Sequence, residues 1–383
     1  MKKKQRPKIL FFVTEDWYFW SHRLPIARAA KRAGFDVVVV TRIDKHQQKI
    51  ENEGFRVVPV TLRRQGKNIF QEIKAIVQIV RMYHQEKPDL VHHVAMKPIL
   101  YGTLAAIFNK TPHVVNAYAG LGFLFISENW KARVLKYFFL GVYKLLFLSK
   151  QTYAIFQNPE DRLSFITLGI IDKKRSVLIR GSGVNISDFH ITAEPEGKIT
   201  ILLASRMLWD KGIGELIKAT KILKHKQIDF RTILVGKPDN ENPRSIPENS
   251  LKEWHDKGII EWWGYQDHMP EILSKAHIVV LPSYREGVPK GLLEAAACGK
   301  PIITTDVPGC REVVKHLENG FLVPVKDVDA LAQALEEMIK DAGLRRKMGA
   351  KGRILAEKYF SEQVVVDKTM TLYRQMIGRE NRF

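Results

Sequence analysis

Short apolar runs alternate along the chain with longer stretches in which apolar residues recur every three to four positions. The predicted strands of the first half cover residues 8–13, 36–41, 55–60, 90–94 and 113–117. The predicted helices cover residues 21–33, 45–53, 70–85 and 99–108. Strands that alternate with helices are typical of a parallel, doubly wound sheet. The first half is therefore predicted to be an α/β domain of the Rossmann type.

The same rhythm begins again at Lys198 and continues to Val323. Between the two sets, residues 179–189 are rich in Gly and Ser, and residues 192–197 contain Glu, Pro and Gly, which indicates a hinge and a linker. A chain of 383 residues is also too long for one ordinary core. We expect a first domain over residues 1–190 and a second over residues 191–360.

The sequence favours a cytoplasmic protein. Its two cysteines, Cys298 and Cys310, lack the spacing of a metal site and are expected to be reduced thiols. The apolar run after the basic N-terminus, residues 9–13, is too short for a signal peptide. No uninterrupted apolar stretch approaches the roughly 20 residues that a membrane-spanning helix needs.

The net charge of +20 lies almost entirely in the first half. Residues 1–182 contain 31 Lys and Arg against 13 Asp and Glu, whereas the rest of the chain contains 30 against 28. Such asymmetry points to an anionic partner, either nucleic acid or acidic lipid. No zinc knuckle, aromatic RNA-binding pattern or basic heptad helix accompanies it, so an anionic membrane surface is expected and nucleic acid is not.

Residues 129–150 are a candidate for membrane contact. On a helical wheel, four cations fall within an arc of about 120° that also contains Leu140 and Phe147. The cations are Arg133, Lys136, Lys144 and Lys150. A basic arc with large apolar groups suits a lipid headgroup interface. The alternative is a core helix whose lysines extend to solvent.

The most informative segment runs from Glu286 to Glu294, two carboxylates eight positions apart around a turn that contains Gly and Pro. An apolar run over residues 276–283 precedes it, so Glu286 should lie on the loop after a strand. Residues 287–292 should open the next helix, where free N–H groups can bind phosphate oxygens. Glu294 is then placed to accept hydrogen bonds from sugar hydroxyls.

Two cations form a second candidate cluster. Arg206 and Lys211 follow the predicted strand over residues 199–203, at a corner that leads into a helix. A forked guanidinium and an ammonium at one corner can together neutralise a diphosphate.

Several short motifs follow one another along the second half of the chain. They are Arg-x4-Lys-Gly at residues 206–212, Val235-Gly236, Trp263-Gly264-Tyr265, the Glu286 to Glu294 segment, residues 304–309, and Asn319-Gly320. In type and order they resemble the retaining nucleotide-sugar glycosyltransferases of the GT-B fold, family 4, most strongly from about residue 199 to residue 325. The resemblance is closest to the bacterial branch that adds N-acetylhexosamines to polyprenyl-diphosphate-linked sugars, including N-acetylgalactosaminyltransferases of protein N-glycosylation.

The resemblance implies two Rossmann-like domains facing a central cleft, with a C-terminal helix over residues 361–383 that crosses back onto the first domain. It implies a UDP-sugar donor, retention of anomeric configuration, and no metal or other cofactor. The acceptor would be a polyprenyl-diphosphate-linked saccharide, reached by a peripheral protein on the inner face of the cell membrane. N-acetylgalactosamine is the favoured sugar.

The resemblance also assigns a donor site. Arg206 and Lys211 would stabilise the leaving diphosphate, a task that a metal otherwise performs, and Glu286 would hold the transferred sugar. Those three residues are the expected catalytic group, and Glu294 would bind the ribose hydroxyls. The other expected donor contacts are Gly264, Tyr265, Gly287, Val288, Pro289, Lys290, Gly291 and Leu292.

The loop expected after the first strand, residues 14–23, has no Gly-x-Gly-x-x-Gly sequence and carries four consecutive aromatic residues. Such bulk keeps the backbone away from a pyrophosphate, so no dinucleotide cofactor is expected. The residues of this loop that are candidates to contact acceptor or donor phosphates are Asp16, Trp17, His22 and Arg23. The alternative is an aromatic plug packed between the loop and the core.

Paired histidines at positions 92 and 93 suggest a metal site, but no nearby acid or thiol completes one, so no metal is expected. Many family members carry a donor-contacting His before a Gly near residue 120, where this chain has Ala119. The remaining candidates for cleft contacts are Lys97, Asn116 and Tyr118.

Two other functions stay open from the sequence. A UDP-sugar 2-epimerase shares the two-domain architecture and the nucleotide sugar, although it has no need of a basic first domain. A non-catalytic protein that binds anionic lipid or nucleic acid is the alternative from a different class.

Overall fold

The computed structural model describes residues 6–62, 69–120 and 140–378. It divides into two compact units, one of residues 1–182 with 365–383 and one of residues 183–364. Each unit contains one parallel sheet with helices on both faces. The predicted α/β fold of two doubly wound, Rossmann-like units is confirmed.

The first unit has a seven-stranded sheet in the order β3-β2-β1-β4-β5-β6-β7. Its strands are β1 (Lys8–Glu15), β2 (Asp36–Arg42), β3 (Arg56–Pro59), β4 (Leu90–Val94), β5 (His113–Tyr118), β6 (Thr152–Phe156) and β7 (Ser176–Leu178). Its helices include Asp16–His22, Leu24–Arg32, Gln47–Asn52, Ile69–Glu86, Met96–Phe108, Pro159–Thr167 and most of Glu362–Ile377. The central strands β1, β2 and β4 are almost wholly buried, which explains their continuous runs of Val, Ile, Leu and Phe.

The second unit repeats the plan with six strands in the order β10-β9-β8-β11-β12-β13. Its strands are β8 (Ile199–Ala204), β9 (Phe230–Val235), β10 (Glu261–Trp262), β11 (Ile278–Leu281), β12 (Ile302–Thr305) and β13 (Gly320–Val323). Its helices include Ile213–His225, Glu248–Asp256, Met269–Ser274, Lys290–Ala297, Pro308–Val313, Val328–Lys340 and Ala342–Leu355. In both sheets the strand order reverses beside the first strand, at β1/β4 and at β8/β11.

One predicted loop is a helix. Residues 16–22 form the helix Asp16–His22, and the Asp16 carboxylate in its first turn accepts the N–H of Trp17 at 2.6 Å. Phe19 is fully buried between Phe11 and Phe55, with ring centroids 5.9 and 6.2 Å away. Trp17, Tyr18 and Trp20 are half-buried. The four aromatic residues therefore pack largely against the core, as the alternative prediction of an aromatic plug expected.

The division between the units lies at residue 182, not near residue 190 as expected. Val184 is fully buried and pairs with the second unit: its N–H bonds the carbonyl of Phe360 at 2.9 Å. The expected linker is also held there, since Arg345 forms a 2.5 Å ion pair with Glu194. The ion pair of Glu194 with Arg345 and the backbone hydrogen bond of Val184 to Phe360 therefore place both residues in the second unit.

The candidate membrane helix at residues 129–150 lies partly outside the described residues, and Arg133 and Lys136 fall there. Within the described part, residues 140–146 are helical. Leu140 and Phe147, which the wheel placed among the cations, are only 7% and 2% exposed and pack in the core with Tyr118 and Tyr143. The exposed apolar residues are instead Leu145 and Leu148. No helix in the described ranges is long and apolar enough to cross a bilayer.

Candidate functional site

The predicted donor residues of the second unit gather at the carboxyl ends of β8 and β11. These two strands are neighbours in the sheet, with Ile201 beside Ile278. They are also the point where the strand order reverses, so their loops diverge and leave a crevice. Open α/β sheets bind ligands at such crevices.

The first loop of the site carries Arg206 and Lys211, and its shape depends on two glycines. A Cβ on Gly236 would lie 1.8 Å from the carbonyl oxygen of Ser205, and a Cβ on Gly212 would lie 2.0 Å from that of Pro282. Both glycines also have positive φ, at 136° and 71°. The loop at Lys211 therefore packs directly against Pro282, at the end of β11.

The second loop carries Glu286, and Gly309 packs closely against its backbone. A Cβ on Gly309 would lie 1.3 Å from the carbonyl oxygen of Gly287, so only glycine permits this approach. The two loops are also joined, because the carbonyl of Asp210 accepts the N–H of Tyr284 at 2.9 Å and the hydroxyl of Ser283 at 3.0 Å. Backbone contacts thus fix the position of both loops.

This arrangement brings two expected catalytic residues together. The ammonium of Lys211 forms a direct ion pair with the carboxylate of Glu286, and their side chains are only 18% and 11% exposed. Arg206 is more open at 45% and pairs with Asp239 at 2.6 Å. Sequence reasoning missed Asp239, although the Val235-Gly236 motif lies just before it.

The helix after Glu286 begins later than predicted, at Lys290, because Pro289 has an extended backbone with ψ of 120°. Gly287 and Val288 therefore lie in the preceding loop. The N-cap residue Pro289 provides no side-chain hydrogen bond and no acid lies in the first turn, so the helix presents the positive end of its dipole to the Glu286 loop. A Cβ on Gly291 would lie 3.3 Å from the carbonyl of Ala204, which keeps this N-terminus against β8.

Glu294 lies in the second turn of that helix and is 9% exposed. Burial raises the pKa of its carboxyl to about 7, and the ammonium of Lys290 at 3.8 Å offsets only part of this effect. In its ionised form this buried carboxylate, in the second turn from the helix N-terminus, can accept hydrogen bonds from hydroxyl donors.

Other residues frame the site. The carbonyl of Gly264 accepts the N–H of Gly236 at 2.7 Å, which supports the Arg206 loop from β10. Tyr265 is 62% exposed, and the Lys237 ammonium lies 5.5 Å from its ring centroid.

Cys310 is fully buried near Glu286. Burial and the negative charge of Glu286 raise the pKa of its thiol to about 12. Its thiol is therefore unreactive at neutral pH.

Several first-unit candidates have structural partners. Asp16 is fully buried, and besides Trp17 it accepts the N–H groups of Asp44 and His46 at 2.8 Å each. His22 stacks on Tyr18 with ring centroids 4.1 Å apart. These contacts make Asp16 a positioning residue for the segment after β2 rather than a phosphate contact.

Lys97 and Asn116 are also engaged. Lys97 pairs with Glu72 at 2.7 Å. Asn116 is fully buried within its strand, and its side-chain oxygen contacts His93 at 2.8 Å and Thr103 at 3.1 Å. The side-chain oxygen of Asn116 is therefore part of an internal polar network, and its role as a cleft contact stays a prediction.

His92 and His93 point to opposite faces of the sheet because they are adjacent in a strand. His92 bonds the hydroxyl of Tyr373, and His93 contacts the hydroxyl of Tyr83 at 2.8 Å. Over the described ranges, no three or more His, Cys, Asp or Glu side chains are grouped to hold a metal ion. Arg23 and Tyr118, by contrast, line a common pocket with His92.

Solved structures and family models match both units of the chain. A glycosyltransferase from Rickettsia africae superposes with a TM-score of 0.78 at 19% identity, over 97% of this chain and 99% of that one. Residues 185–354 match the family described as glycosyl transferases group 1, and residues 8–158 match the glycosyl transferase 4-like family. The chain is a glycosyltransferase with the GT-B fold. The group 1 match includes all the predicted donor residues of this glycosyltransferase.

Curated relatives of this glycosyltransferase span nearly its whole length. The N,N'-diacetylbacillosaminyl-diphospho-undecaprenol alpha-1,3-N-acetylgalactosaminyltransferase of Campylobacter jejuni is 28% identical over 93% of this chain and 95% of the relative. The UDP-Gal:alpha-D-GlcNAc-diphosphoundecaprenol alpha-1,3-galactosyltransferase of Escherichia coli is 25% identical over 81% of each chain.

Gly309→Ala should destabilise the second unit. The added Cβ would overlap the carbonyl of Gly287, and overpacking of this kind costs about 1–3 kcal/mol. Urea unfolding measures the loss. Gly352→Ala is the matched control, because its Cβ would have no neighbour closer than 3.7 Å and its position is helical. Equal stability of the two variants would contradict the close loop contact.

Glu294→Gln should change how stability depends on pH. The folded protein binds a proton on Glu294 up to about pH 7, whereas the ordinary pKa is 4.5. The folded state therefore holds more protons than the unfolded state between these values, so wild-type stability falls as pH rises through that window. The glutamine variant lacks this loss. Its free energy of unfolding should therefore rise by about 2–3 kcal/mol relative to that of the wild type when the pH is raised from 5 to 8.

Urea unfolding of both proteins at the two pH values tests this expectation. Glu318→Gln, which removes an exposed carboxylate of the same unit, is the control. Identical pH dependence of the wild type and Glu294→Gln would contradict a raised pKa for Glu294.

Proposed function

We propose that this glycosyltransferase transfers an N-acetylhexosamine, with N-acetylgalactosamine favoured, from a UDP-sugar to a polyprenyl-diphosphate-linked saccharide. The observation that carries the proposal is the Lys211–Glu286 ion pair beside the uncapped N-terminus of the helix Lys290–Ala297. A cation, a carboxylate and a helix N-terminus at one crevice match the parts of a nucleotide sugar. The names of the Campylobacter and Escherichia relatives support the lipid-linked acceptor, and the Escherichia name supports UDP.

In the proposed complex, Lys211 exchanges partners. Its ammonium leaves Glu286 and binds the diphosphate, together with the guanidinium of Arg206 and the first amides of the helix that starts at Lys290. Glu286 is then free to accept hydrogen bonds from hydroxyls of the transferred sugar. The ion pair thus holds both groups in position before the donor arrives.

Glu294 is proposed to accept the ribose hydroxyls. Hydrogen bonds from hydroxyl donors stabilise the ionised carboxylate, so donor binding should lower the pKa of Glu294 from about 7. Binding of the UDP-sugar would then release protons at neutral pH.

Two cations and a helix N-terminus supply the positive charge that a departing diphosphate needs. We therefore propose transfer without a divalent metal. The anomeric configuration is proposed to be retained through same-face attack on an oxocarbenium-like state, an assignment that rests on the resemblance to family 4.

Lys211→Ala should lower the rate of sugar transfer by at least about 100-fold, because loss of one preorganised charge contact costs roughly 2.7–4 kcal/mol. Glu294→Gln should lower it to a similar extent. The assay combines a panel of UDP- and GDP-sugars with extracted polyprenyl-diphosphate acceptors in EDTA. Lys226→Ala, which removes a cation from an exposed ion pair with Glu336, is the control. Near-wild-type turnover in Lys211→Ala would remove the donor-site assignment.

Product analysis with UDP-N-acetylglucosamine alone separates transfer from epimerisation. A UDP-sugar 2-epimerase would convert this substrate without an acceptor, whereas the proposed transferase would leave it unchanged.

We also propose that the first unit docks on an anionic membrane surface, and the helix Ile69–Glu86 supports this. Phe70, Ile73 and Val77 are 79%, 53% and 41% exposed, and their spacing places them on one face of the helix. Lys74 and Arg81 are exposed on the same face. Large apolar groups interspersed with cations are typical of helices that lie at lipid headgroups.

The acids of this helix do not oppose such contact. Glu72 is paired with Lys97 at 2.7 Å, and Glu86 is paired with Lys8 at 3.3 Å and with Arg56. The exposed face therefore carries apolar and cationic side chains without an exposed acid. This charge complementarity favours an anionic bilayer as the occupant.

Replacement of Phe70, Ile73 and Val77 by Ser should release the protein from vesicles that contain phosphatidylglycerol. Lys74→Glu with Arg81→Glu should weaken binding by at least tenfold, since each cation near an anionic surface contributes about 1 kcal/mol. Cosedimentation measures both, and UDP binding should persist. Leu317→Ser with Ile354→Ser is the control, because these residues of the second unit are equally exposed. Unchanged sedimentation of the first-unit variants would show that this face does not bind lipid.

A further inference from the structure

The ends of two helices in the first unit expose large apolar side chains. Ile107 and Phe108, the last residues of the helix Met96–Phe108, are 47% and 72% exposed. Leu145 and Leu148, at the end of the helical residues 140–146, are 62% and 73% exposed. We call these four residues the apolar tip. Exposed apolar groups that lie together mark surfaces for a partner or a membrane.

The two helix ends lie on the same face and at the same edge of the first sheet. Leu104, in the last turn but one of the first helix, packs against the core cluster that contains Phe147. The two helices lead into β5 and β6, which are adjacent and parallel, so both helix ends lie at the amino edge of these strands. The N–H of Val114 also bonds the carbonyl of Gln151 at 3.2 Å, which joins the starts of the two strands.

The charge around the apolar tip is positive. Lys110, Lys144 and Lys150 are exposed and lie within a few residues of the tip in the sequence. Residues 90–120 and 140–158 contain no Asp or Glu. Cations that flank large apolar groups, without acids among them, are typical of surfaces that lie at anionic lipid headgroups.

Acids from other segments near this edge have partners. Asp172 pairs with Arg175 at 2.7 Å, and the Arg175 guanidinium also donates to the carbonyl of Phe147 at 3.0 Å. Asp89, just before β4, accepts the N–H of Lys8 at 2.6 Å. These contacts leave the three lysines as the main charges beside the apolar tip.

The tip adjoins the helix Ile69–Glu86, whose outer face is already proposed to dock on a membrane. The side chain of Asn109, next to Phe108, donates to the carbonyl of Val80 in that helix at 3.0 Å. Val80 lies between the exposed Val77 and Arg81. The apolar and cationic surface therefore continues from one helix to the next.

The helix Met96–Phe108 has the composition of a helix that needs cover on most sides. Its one charged residue is Lys97, which pairs with Glu72 at 2.7 Å. Helices that are apolar all round are normally buried in a core or in lipid, yet the last turn of this helix is exposed.

We propose that the apolar tip, with Lys110, Lys144 and Lys150, is a second membrane-contact surface that inserts among the headgroups of an anionic bilayer. The inference rests on the proposed docking of the first unit and extends the contact over three helices. A second copy of the chain fits less well, because two facing tips would oppose their lysines without acids to pair them.

A fluorescent label at single introduced cysteines tests insertion of the tip. Phe108→Cys and Leu148→Cys are each labelled with NBD, whose emission shifts to the blue in an apolar environment. The native Cys298 and Cys310 should not react, because they are buried and burial raises the pKa of their thiols to about 11 and about 12. Leu317→Cys, at a 62% exposed position of the second unit, is the matched control.

Vesicles that contain phosphatidylglycerol should shift the emission of both tip labels to the blue and leave the control unchanged. Phe108→Ser with Leu148→Ser should weaken cosedimentation by at least about tenfold, because two large apolar side chains are lost from the lipid contact. Circular dichroism and UDP binding check that this variant is folded. Unchanged emission at both tip positions on vesicle-bound protein would overturn the proposal.

NBD at Ile73→Cys separates this surface from the one on the helix Ile69–Glu86. A blue shift at Ile73→Cys alone would show that this helix docks without the apolar tip. A blue shift of the tip labels that needs high protein concentration and no lipid would identify a second copy as the occupant, and would also overturn the proposal. If the tip labels report lipid but the protein transfers no sugar, the proposed transferase activity fails and the membrane surface stands.

Discussion

The candidate donor site depends on close contact between loop backbones that only glycine allows. Gly212 lies against the carbonyl of Pro282, Gly236 against that of Ser205, and Gly309 against that of Gly287. A Cβ at any of these positions would overlap the facing carbonyl oxygen. These contacts place Lys211 beside Glu286, although the two residues are 75 positions apart in the chain.

The site charges are held in states that a ligand would relieve. Burial raises the pKa of Glu294 to about 7, Lys211 is paired with Glu286, and Pro289 gives the nearby helix no side-chain hydrogen bond at its N-cap. Preorganised charge of this kind favours binding because little reorganisation is needed when an anion arrives.

The sequence predicted the fold well where burial on both faces produced continuous apolar runs. All five strands predicted in the first half are present, whereas β6 and the three-residue β7 were not predicted. The helix Asp16–His22 was taken for a loop because its start depends on Asp16, whose carboxylate also binds N–H groups of residues 44 and 46. Leu140 and Phe147 were placed on a lipid face because helical spacing alone does not reveal which side meets the core.

Local order along the chain was enough to determine the parallel α/β architecture, the glycosyltransferase family and the candidate donor residues, because strands, turns and motifs are short-range features. Only the tertiary structure decided which candidates share a site. It joined Lys211 to Glu286, placed Asn116 in the core, and used the Asp16 carboxylate to bind backbone N–H groups of a distant segment. These outcomes depend on strand order and on close packing between distant segments, which no local pattern encodes.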